Sequence, residues 1–263
     1  MNILDKIIEH KKEVVSEAKK NKRISTLEKS EYYNLPTLSI KNNLLSQDFG
    51  IIAEFKRKSP SRGEIMHHTS PLEVAKIYES ANVAGMSILT DSKYFNGAPE
   101  DLSVVKKNLA IPLLRKDFII DEYQIFEAKS IGADCILLIA EILDKKQLLE
   151  FAIIAKSLGM EVLMELHSVD QLSKINDEVD ILGVNNRNLK RQKTDIQTSI
   201  NLFDFLPKDL PKISESGIFT SDDIQILSER GFQGALIGTS ILESESPKDY
   251  LNELKSKIKT VKI

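Results

Sequence analysis

Eight short apolar runs, separated by longer amphipathic segments, recur along this chain and limit the folds open to it. Each run is continuously apolar rather than alternating, which is typical of a parallel strand covered on both faces. Eight strand–helix units within 263 residues predict a closed (β/α)8 TIM barrel. A doubly wound open sheet, the main alternative, usually has fewer strands, and no GxGxxG follows the first run. The runs cover residues 50–55, 85–90, 111–114, 133–140, 160–166, 181–184, 210–214 and 234–237.

The segment before the first run is predicted to be a helical extension of the barrel. Its apolar residues recur among Lys and Glu residues at a spacing that indicates an amphipathic helix with a solvated face. We therefore predict one α/β domain over residues 1–263, in which residues 1–45 form an N-terminal helical extension that packs on the barrel or caps it. The apolar stripe is carried by Ile3, Leu4, Ile7, Ile8, Val14 and Val15.

Composition limits the partners and the setting of the chain. The formal net charge is −3 and 29% of the residues are charged, so nothing favours a nucleic-acid or a membrane partner. Cys135 is the single cysteine, which excludes an internal disulfide and fits a reducing, cytoplasmic location. His67 and His68 are neighbours in a loop, and no spacing of the four histidines indicates a metal site.

Charged and amide residues follow the predicted strands directly. In a TIM barrel the active site lies at the C-terminal ends of the strands. Glu54 and Lys56 come two residues apart at the end of the first run, so their side chains point to the same side. Opposite charges there are costly to bury unless they are paired, which indicates a site rather than a core. The other strand ends carry Ser59, Lys116, Glu165, Asn185, Arg187 and Glu215.

The last two strand ends favour a phosphorylated ligand. Ser216-Gly217 and Gly238-Thr239 follow the seventh and eighth runs. In many barrels these two loops bind a phosphate through backbone N–H groups, and Gly lets the backbone approach the anion closely. A phosphate anchor beside Lys and Glu side chains predicts proton-transfer chemistry on a phosphorylated, sugar-like small molecule.

Several segments resemble the indole-3-glycerol-phosphate synthase family. The first segment is highly specific to that family, whereas the Glu-Ser-Gly and Gly-Thr-Ser ends are shared more widely among phosphate-binding barrels. The resemblance runs in order along the whole chain. The segments are IAEFKRKSPS at 52–61, KYFNG at 93–97, LRKDF at 114–118, GVNNRNL at 183–189 and SESGI at 214–218.

The resemblance implies a reaction of tryptophan biosynthesis. The substrate is 1-(2-carboxyphenylamino)-1-deoxyribulose 5-phosphate, a phosphorylated anthranilate-sugar. Its ring closes onto the sugar C2 carbonyl, and carbon dioxide and water leave to give indole-3-glycerol phosphate. The resemblance implies no cofactor and no metal.

The resemblance also implies roles for the candidate residues. Lys116 delivers a proton to the carbonyl oxygen, with its ammonium held by neighbouring carboxylates such as Glu54. Glu165 and Lys56 are the candidate acid and base for dehydration, in an order that stays open. The remaining roles are binding roles: Asn185 and Glu215 for substrate hydroxyls, Lys56, Ser59 and Arg187 for the anthranilate carboxylate or the phosphate, Phe95 for the aromatic ring, and Ser216, Gly217, Gly238 and Thr239 for a phosphate cradle.

Two alternatives stay open from the sequence. A phosphate anchor and Lys116 alone would also suit another phosphosugar barrel enzyme, such as phosphoribosylanthranilate isomerase or a Schiff-base aldolase. A barrel that only binds a phosphorylated ligand is the alternative from a different class. Binding alone does not need proton donors, so the acids and bases at the strand ends argue against it.

Overall fold

The predicted barrel is confirmed. A computed structural model describes residues 2–60, 62–65, 70–188 and 193–258. Eight parallel strands close into a barrel in the order β1-β10-β9-β8-β7-β6-β5-β4, while β2 and β3 pair separately in an antiparallel hairpin. The strands are β1 Gly50–Phe55, β2 Lys58–Ser59, β3 Gly63–Glu64, β4 Gly85–Leu89, β5 Leu113–Lys116, β6 Cys135–Ile139, β7 Glu161–Leu166, β8 Ile181–Asn185, β9 Lys212–Glu215 and β10 Gly234–Ile237.

Helices follow most barrel strands and cover the outside of the barrel. After β7, however, the connection is a 3-10 helix, Val169–Lys174, so the regular strand–helix alternation is broken there. Within the described ranges, no helix is both long and apolar enough to cross a membrane. The α-helices are α1 Ile3–Asn21, α2 Ile24–Leu27, α3 Ile40–Leu45, α4 Pro71–Ser80, α5 Ser92–Phe95, α6 Pro99–Asn108, α7 Tyr123–Ser130, α8 Lys145–Ser157, α9 Gln197–Leu202, α10 Ser221–Arg230, α11 Thr239–Leu242 and α12 Pro247–Leu254.

Three strands end later than their apolar runs predict, and one of them is β8, which ends at Asn185 although its run ends at 184. The run at 111–114 corresponds to β5, which ends at Lys116, and the run at 210–214 corresponds to β9, which ends at Glu215. Pro112 and Pro211 precede these strands, and a proline has no N–H to donate to a ladder. The charged residues were predicted to follow the strands, but they are their last members, so neighbouring strands fix their direction.

The inside of the barrel explains why these last members point into one space. Inward residues alternate along each strand, and deep in the barrel they form an apolar cluster that includes Ile52, Leu114, Leu163 and Ile213. Two positions further along the same strands, the inward residues are Glu54, Lys116, Glu165 and Glu215. At this level the inward residues are charged rather than apolar, so the top of the barrel interior is a polar site.

The N-terminal extension contacts both ends of the barrel. Leu4 and Ile7 of α1 face the cavity at the C-terminal ends of the strands. Ile40 and Leu44 of α3 belong to the interior cluster and lie against the first residues of β1, β4 and β10. Glu161, at the start of β7, accepts hydrogen bonds from the amides of Ile40 and Lys41 and so anchors the start of α3.

Candidate active site

Two adjoining cavities open at the C-terminal ends of the barrel strands. We call the first the apolar lobe, because much of its wall is hydrophobic, and the second the polar lobe. The apolar lobe is walled by Leu4, Ile7, Phe95, Phe118, Leu137 and Ile139. The polar lobe is walled by Arg62, Ser216, Gly217, Gly238, Thr239 and Ser240. Both lobes share Glu54, Lys56, Lys116, Arg187 and Ser216, so these residues lie where the lobes meet.

Two lysines form three ion pairs at the junction of the lobes. Lys56 Nζ lies 2.5 Å from Glu54 Oε1. Lys116 Nζ lies 2.6 Å from Glu215 Oε2 and 3.5 Å from Glu165 Oε2. The sequence suggested that Glu54 holds Lys116, but Glu54 contacts Lys56 instead and acts on Lys116 only through its charge at longer range. The two lysines are therefore held by different carboxylates, which gives each a separate position.

The electrostatics of the junction keep Lys116 charged. Burial alone would lower the pKa of Lys116, but the charges of Glu215, Glu165 and Glu54 outweigh it and raise that pKa above its ordinary value. Burial would likewise raise the pKa of Glu54, but the neighbouring Lys56 and Lys116 lower it overall. The junction thus presents a stable ammonium beside an ionised carboxylate.

Glu215 differs from the other carboxylates of the junction. Burial raises its pKa to about 7, Lys116 acts in the opposite direction, and Glu165 adds to the rise. Within the described part of the chain, its atom Oε1 has no hydrogen-bond partner. Oε1 points at Gly183 of β8, where an added Cβ would stand 2.1 Å from it. A side chain at 183 would therefore force this carboxylate to move.

The loop after β4 brings an aromatic side chain to the apolar lobe. Asp91 Oδ1 accepts the amide of Tyr94 at 2.9 Å and so starts the short helix α5, which ends with Asn96 in the left-handed region at φ 53°. This turn places the Phe95 ring 6.2 Å from the ring of Phe118. The two rings together form an aromatic wall suited to a flat apolar group.

A buried network behind Lys116 ties α1 to the barrel. Lys11 Nζ lies 2.8 Å from Asp91 and 2.7 Å from Asp117, and Lys11 is only 3% exposed. Asp117 Oδ2 also accepts hydrogen bonds from Thr90 and Arg115. Because Asp117 directly follows Lys116, this network fixes the end of β5.

The wall of the polar lobe has an unusual backbone. Ser216 and Gly217 both have positive φ, at 69° and 71°. An added Cβ on Gly217 would stand too close to Thr194, which pairs with Arg187 in a short β-bridge. Asn185 Oδ1 accepts the amide of Arg187 at 2.9 Å. Arg187 is thereby set at the junction by the same loop that packs on Gly217.

Every predicted site residue lines at least one of the two lobes. Their roles in catalysis and binding stay predictions at this point. The apolar lobe is bordered by Ser59, Phe95, Glu165 and Asn185. The polar lobe is bordered by Glu215, Ser216, Gly217, Gly238 and Thr239. Ser216 borders both lobes, as do the remaining residues Glu54, Lys56, Lys116 and Arg187.

Some residues of the site were not singled out from the sequence. Phe118 lies within a segment that carries the family resemblance, but no role was assigned to it. Lys11 carries a recognisable signal, because it interrupts the buried stripe of Leu4, Ile7 and Val15 on α1. A charged residue on a buried helix face implies a buried partner. Arg62, Leu137 and Ile139 give no such signal.

No group of histidine, cysteine and acidic residues in the described ranges is arranged to hold a metal ion. His67 and His68, which the sequence places in a loop, lie outside the described residues.

Comparison with known proteins identifies the family. The family model described as indole-3-glycerol phosphate synthase matches residues 4–254. A protein of that name from Bacteroides thetaiotaomicron is 41% identical over 250 residues, which cover 95% of this chain and 96% of that protein. Another from Chloroherpeton thalassium is 42% identical over 256 residues, with 95% and 98% covered. The chain belongs to the indole-3-glycerol phosphate synthase family.

More distant solved structures share the barrel. The α subunit of tryptophan synthase from Legionella pneumophila superposes with a TM-score of 0.63 at 12% identity, covering 83% of this chain and 97% of that chain. A 3-hexulose-6-phosphate synthase from Salmonella typhimurium gives 0.62 at 13% identity, covering 79% and 97%. At such identities the similarity shows the fold alone.

Membership of the indole-3-glycerol phosphate synthase family makes the chain a lyase of tryptophan biosynthesis that acts on a small molecule. The resemblance found in the sequence is therefore confirmed at the level of family, fold and class of reaction.

Proposed function

We propose that this chain converts 1-(2-carboxyphenylamino)-1-deoxyribulose 5-phosphate into indole-3-glycerol phosphate, carbon dioxide and water. The observation that carries this proposal is the position of the Lys116 ammonium, paired with Glu215 and Glu165 where an apolar lobe meets a polar one. The substrate has a matching division, with an aromatic ring at one end, a phosphate at the other and the reacting carbonyl between them.

The two lobes orient the substrate. The aromatic ring lies in the apolar lobe against Phe95, and the phosphate lies in the polar lobe against the backbone of Ser216-Gly217 and Gly238-Thr239. Lys56, Ser59 and Arg187 pair with the anthranilate carboxylate or the phosphate. This placement brings the C2 carbonyl to the junction of the lobes, beside Lys116.

Ring closure is assisted by Lys116. As the ring carbon that bears the carboxylate bonds to C2, the electron pair of the carbonyl moves to its oxygen, which takes a proton from Lys116 Nζ. The raised pKa keeps this lysine protonated before the reaction. Glu215, with a pKa of about 7 and 2.6 Å from Nζ, can return a proton to the amine afterwards. Carbon dioxide then leaves, and its bonding pair returns to the ring.

Dehydration requires an acid for the departing hydroxyl and a base for the anilino proton; the methylene carbon beside the nitrogen then loses a proton and the nitrogen regains one, so that the product keeps its indole N–H. Glu165 and Lys56 both line the apolar lobe, each next to a group of opposite charge. Either assignment of acid and base balances the protons, because one residue gains a proton as the other loses one. Asn185 and Glu215 hold substrate hydroxyls during both steps.

A Schiff-base mechanism fits this site poorly. The lysine of such an enzyme must attack as a neutral amine, so its pKa has to be lowered. The carboxylates around Lys116 raise its pKa instead. Borohydride reduction in the presence of substrate is therefore expected to trap no adduct on a lysine.

A direct assay tests the proposed function. Purified protein is mixed with the anthranilate-linked deoxyribulose phosphate, without added metal or nucleotide, and the indole fluorescence of the product is followed. We expect turnover by the wild type, and for Lys116→Met a loss of several orders of magnitude in kcat with substrate binding retained. Lys146→Met, at a largely exposed lysine of α8, is the matched control and should behave as wild type. Turnover by Lys116→Met near the wild-type rate would refute the role of Lys116.

We also propose that the protein works in the cytoplasm without a nucleic-acid partner. The support is a single buried cysteine, a net charge of −3 and relatives that are bacterial biosynthetic enzymes. Fractionation of cells that express the tagged protein tests the location.

A further inference from the structure

Asn186 lies behind the polar lobe and does not line either cavity. It is 2% exposed, and its side chain makes four hydrogen bonds. Nδ2 donates to the carbonyl of Ser216 and to Ser214 Oγ, both at 2.9 Å. Oδ1 accepts from the amide of Ser199 at 3.1 Å and from Ser199 Oγ at 2.8 Å. All the hydrogen-bonding capacity of this amide is therefore used inside the protein.

Ser216 needs such a restraint. Its φ of 69° lies in the left-handed region, which residues other than glycine rarely adopt, and Gly217 continues that conformation. The backbone N–H of Asn186 also donates a hydrogen bond to the carbonyl of Glu215 at 2.8 Å. Asn186 thus holds two successive carbonyls, those of Glu215 and Ser216. These two hydrogen bonds keep Ser216 in a backbone conformation that would otherwise relax.

The direction of the Ser216 carbonyl fixes the direction of the Gly217 N–H. A trans peptide is planar, with its C=O and N–H pointing in opposite directions. The carbonyl of Ser216 points at the buried Asn186, so the N–H of Gly217 points away from it. Gly217 lines the polar lobe, where the phosphate is proposed to bind.

Asparagine is well suited to this position because its amide both donates and accepts. An aspartate of the same shape would keep the bonds from Ser199 but would set a carboxylate oxygen against the carbonyl of Ser216. A leucine of similar volume would make none of the four bonds. Both changes release Ser216, although only one of them adds a charge.

We propose that Asn186 is a positioning residue of the phosphate site, which fixes the Ser216 carbonyl and thereby aims the Ser216–Gly217 backbone into the polar lobe. The inference rests on the proposed function, because it presumes that the polar lobe takes a phosphate. Asn186 touches neither the substrate nor the reacting groups, so it acts on binding through the backbone alone.

The test measures phosphate binding apart from turnover. Isothermal titration with inorganic phosphate is compared for wild type, Asn186→Asp and Asn186→Leu, with circular dichroism to establish the fold. Losing an aimed backbone donor is expected to weaken phosphate binding about tenfold in both variants. KM for the substrate should rise by a similar factor, while kcat changes less. The reason is that the phosphate is bound equally well in the substrate complex and in the transition state.

Ser199→Ala is the matched control within the same buried network. It removes the Ser199 hydroxyl but leaves the amide of Ser199 on Oδ1 and the bond from Nδ2 to the Ser216 carbonyl. We expect a lower melting temperature with phosphate binding within about twofold of wild type. Equal weakening by Ser199→Ala and the Asn186 variants would mean general loosening and would overturn the inference, as would unchanged phosphate binding in a folded Asn186 variant.

A measurement on the wild type covers the case in which the Asn186 variants do not fold. In 15N-labelled protein titrated with phosphate, the side-chain amide signals of Asn186 are expected to shift, while those of exposed Asn108 stay in place. Unmoved Asn186 signals would overturn the inference. If the wild type and the Asn186 variants all turn over substrate and bind phosphate equally well, this inference is wrong but the proposed function stands. A wild type that does neither contradicts the proposed function as well.

Discussion

Gly183→Ala is the sharpest test of how the junction of the lobes is built. The added Cβ would stand 2.1 Å from Glu215 Oε1 and 3.2 Å from Leu163 Cδ1. A carbon and an oxygen that are not bonded rarely approach closer than about 3 Å, so the carboxylate has to move by about 1 Å. Glu215 Oε2 is 2.6 Å from Lys116 Nζ, and a movement of this size breaks that contact.

The expected cost falls mainly on catalysis. A displacement of about 1 Å in a catalytic arrangement can cost about 100-fold in rate, so we expect kcat to fall by about that factor. Overpacking by one methyl group also costs about 1–3 kcal/mol in the free energy of unfolding, which leaves a well-populated fold. KM should change less, because neither the aromatic wall nor the phosphate cradle contains Gly183.

The assay is the steady-state fluorescence of the indole product, accompanied by urea unfolding. Gly85→Ala is the matched control, because an added Cβ at this strand glycine would crowd Ile40 and Pro112 at the opposite end of the barrel. It should lower stability without lowering kcat. Turnover by Gly183→Ala equal to that of Gly85→Ala would refute the crowding argument.

A double variant separates crowding from other effects. Glu215→Asp shortens the side chain, so in the wild-type background it weakens the contact with Lys116 and lowers kcat. In the Gly183→Ala background the shorter side chain also relieves the clash, so the same change should cost less or restore some activity. Strictly additive effects on the two backgrounds would show that Gly183 and Glu215 do not interact.

Three further changes have expected outcomes. Lys11→Met leaves the buried Asp91 without its cation and Asp117 with Arg115 alone, and should cost about 3–5 kcal/mol in urea unfolding, whereas Lys19→Met, at a half-exposed pair on the same helix, should cost less than about 1 kcal/mol. Glu215→Gln should flatten the pH dependence of stability: between pH 4.5 and about 7 the folded wild type keeps a proton that the unfolded chain has lost, so its free energy of unfolding falls with rising pH. Phe118→Ala removes half of the aromatic wall and should raise KM about tenfold, measured by steady-state kinetics.

Each of these outcomes can fail in a specific way. Equal destabilisation by Lys11→Met and Lys19→Met would show that burial does not decide the strength of these pairs. Parallel stability curves for Glu215→Gln and the wild type, from pH 4 to 8, would mean that the pKa of Glu215 is not raised. An unchanged KM for Phe118→Ala, alongside a reduced kcat, would place the aromatic ring of the substrate elsewhere.

The barrel could be predicted because its pattern is local and repeated. Continuous apolar runs reflect burial on both faces of a parallel strand, and the first and last runs match β1 and β10 residue for residue. The predicted ends of β5 and β9 are wrong because local composition there conflicts with the pairing register of the neighbouring strands. β5 and β9 include Lys116 and Glu215, which look like loop residues by composition, but pairing with neighbouring strands keeps them extended.

The sequence predicted which residues line the candidate site better than it predicted which of them contact one another. Residue types at strand ends indicated which side chains meet, because the closed barrel brings all eight ends to one rim. The choice of partners was not predictable: Glu54 pairs with Lys56, and Lys116 pairs with Glu215, a residue 99 positions further along the chain. Differences of about an ångström between competing pairs decide this, and no sequence spacing records them.

The barrel, the family and the side chains gathered at the barrel mouth follow from the sequence, because continuous apolar runs and residue chemistry are properties of short segments. Three features appear only in the folded chain: α1 covers the apolar lobe and is tied to the barrel by the buried Lys11, Gly183 leaves space for Glu215 Oε1, and Asn186 holds Ser216. These features depend on contacts between residues far apart in the chain, where packing and burial set the energy of each pair.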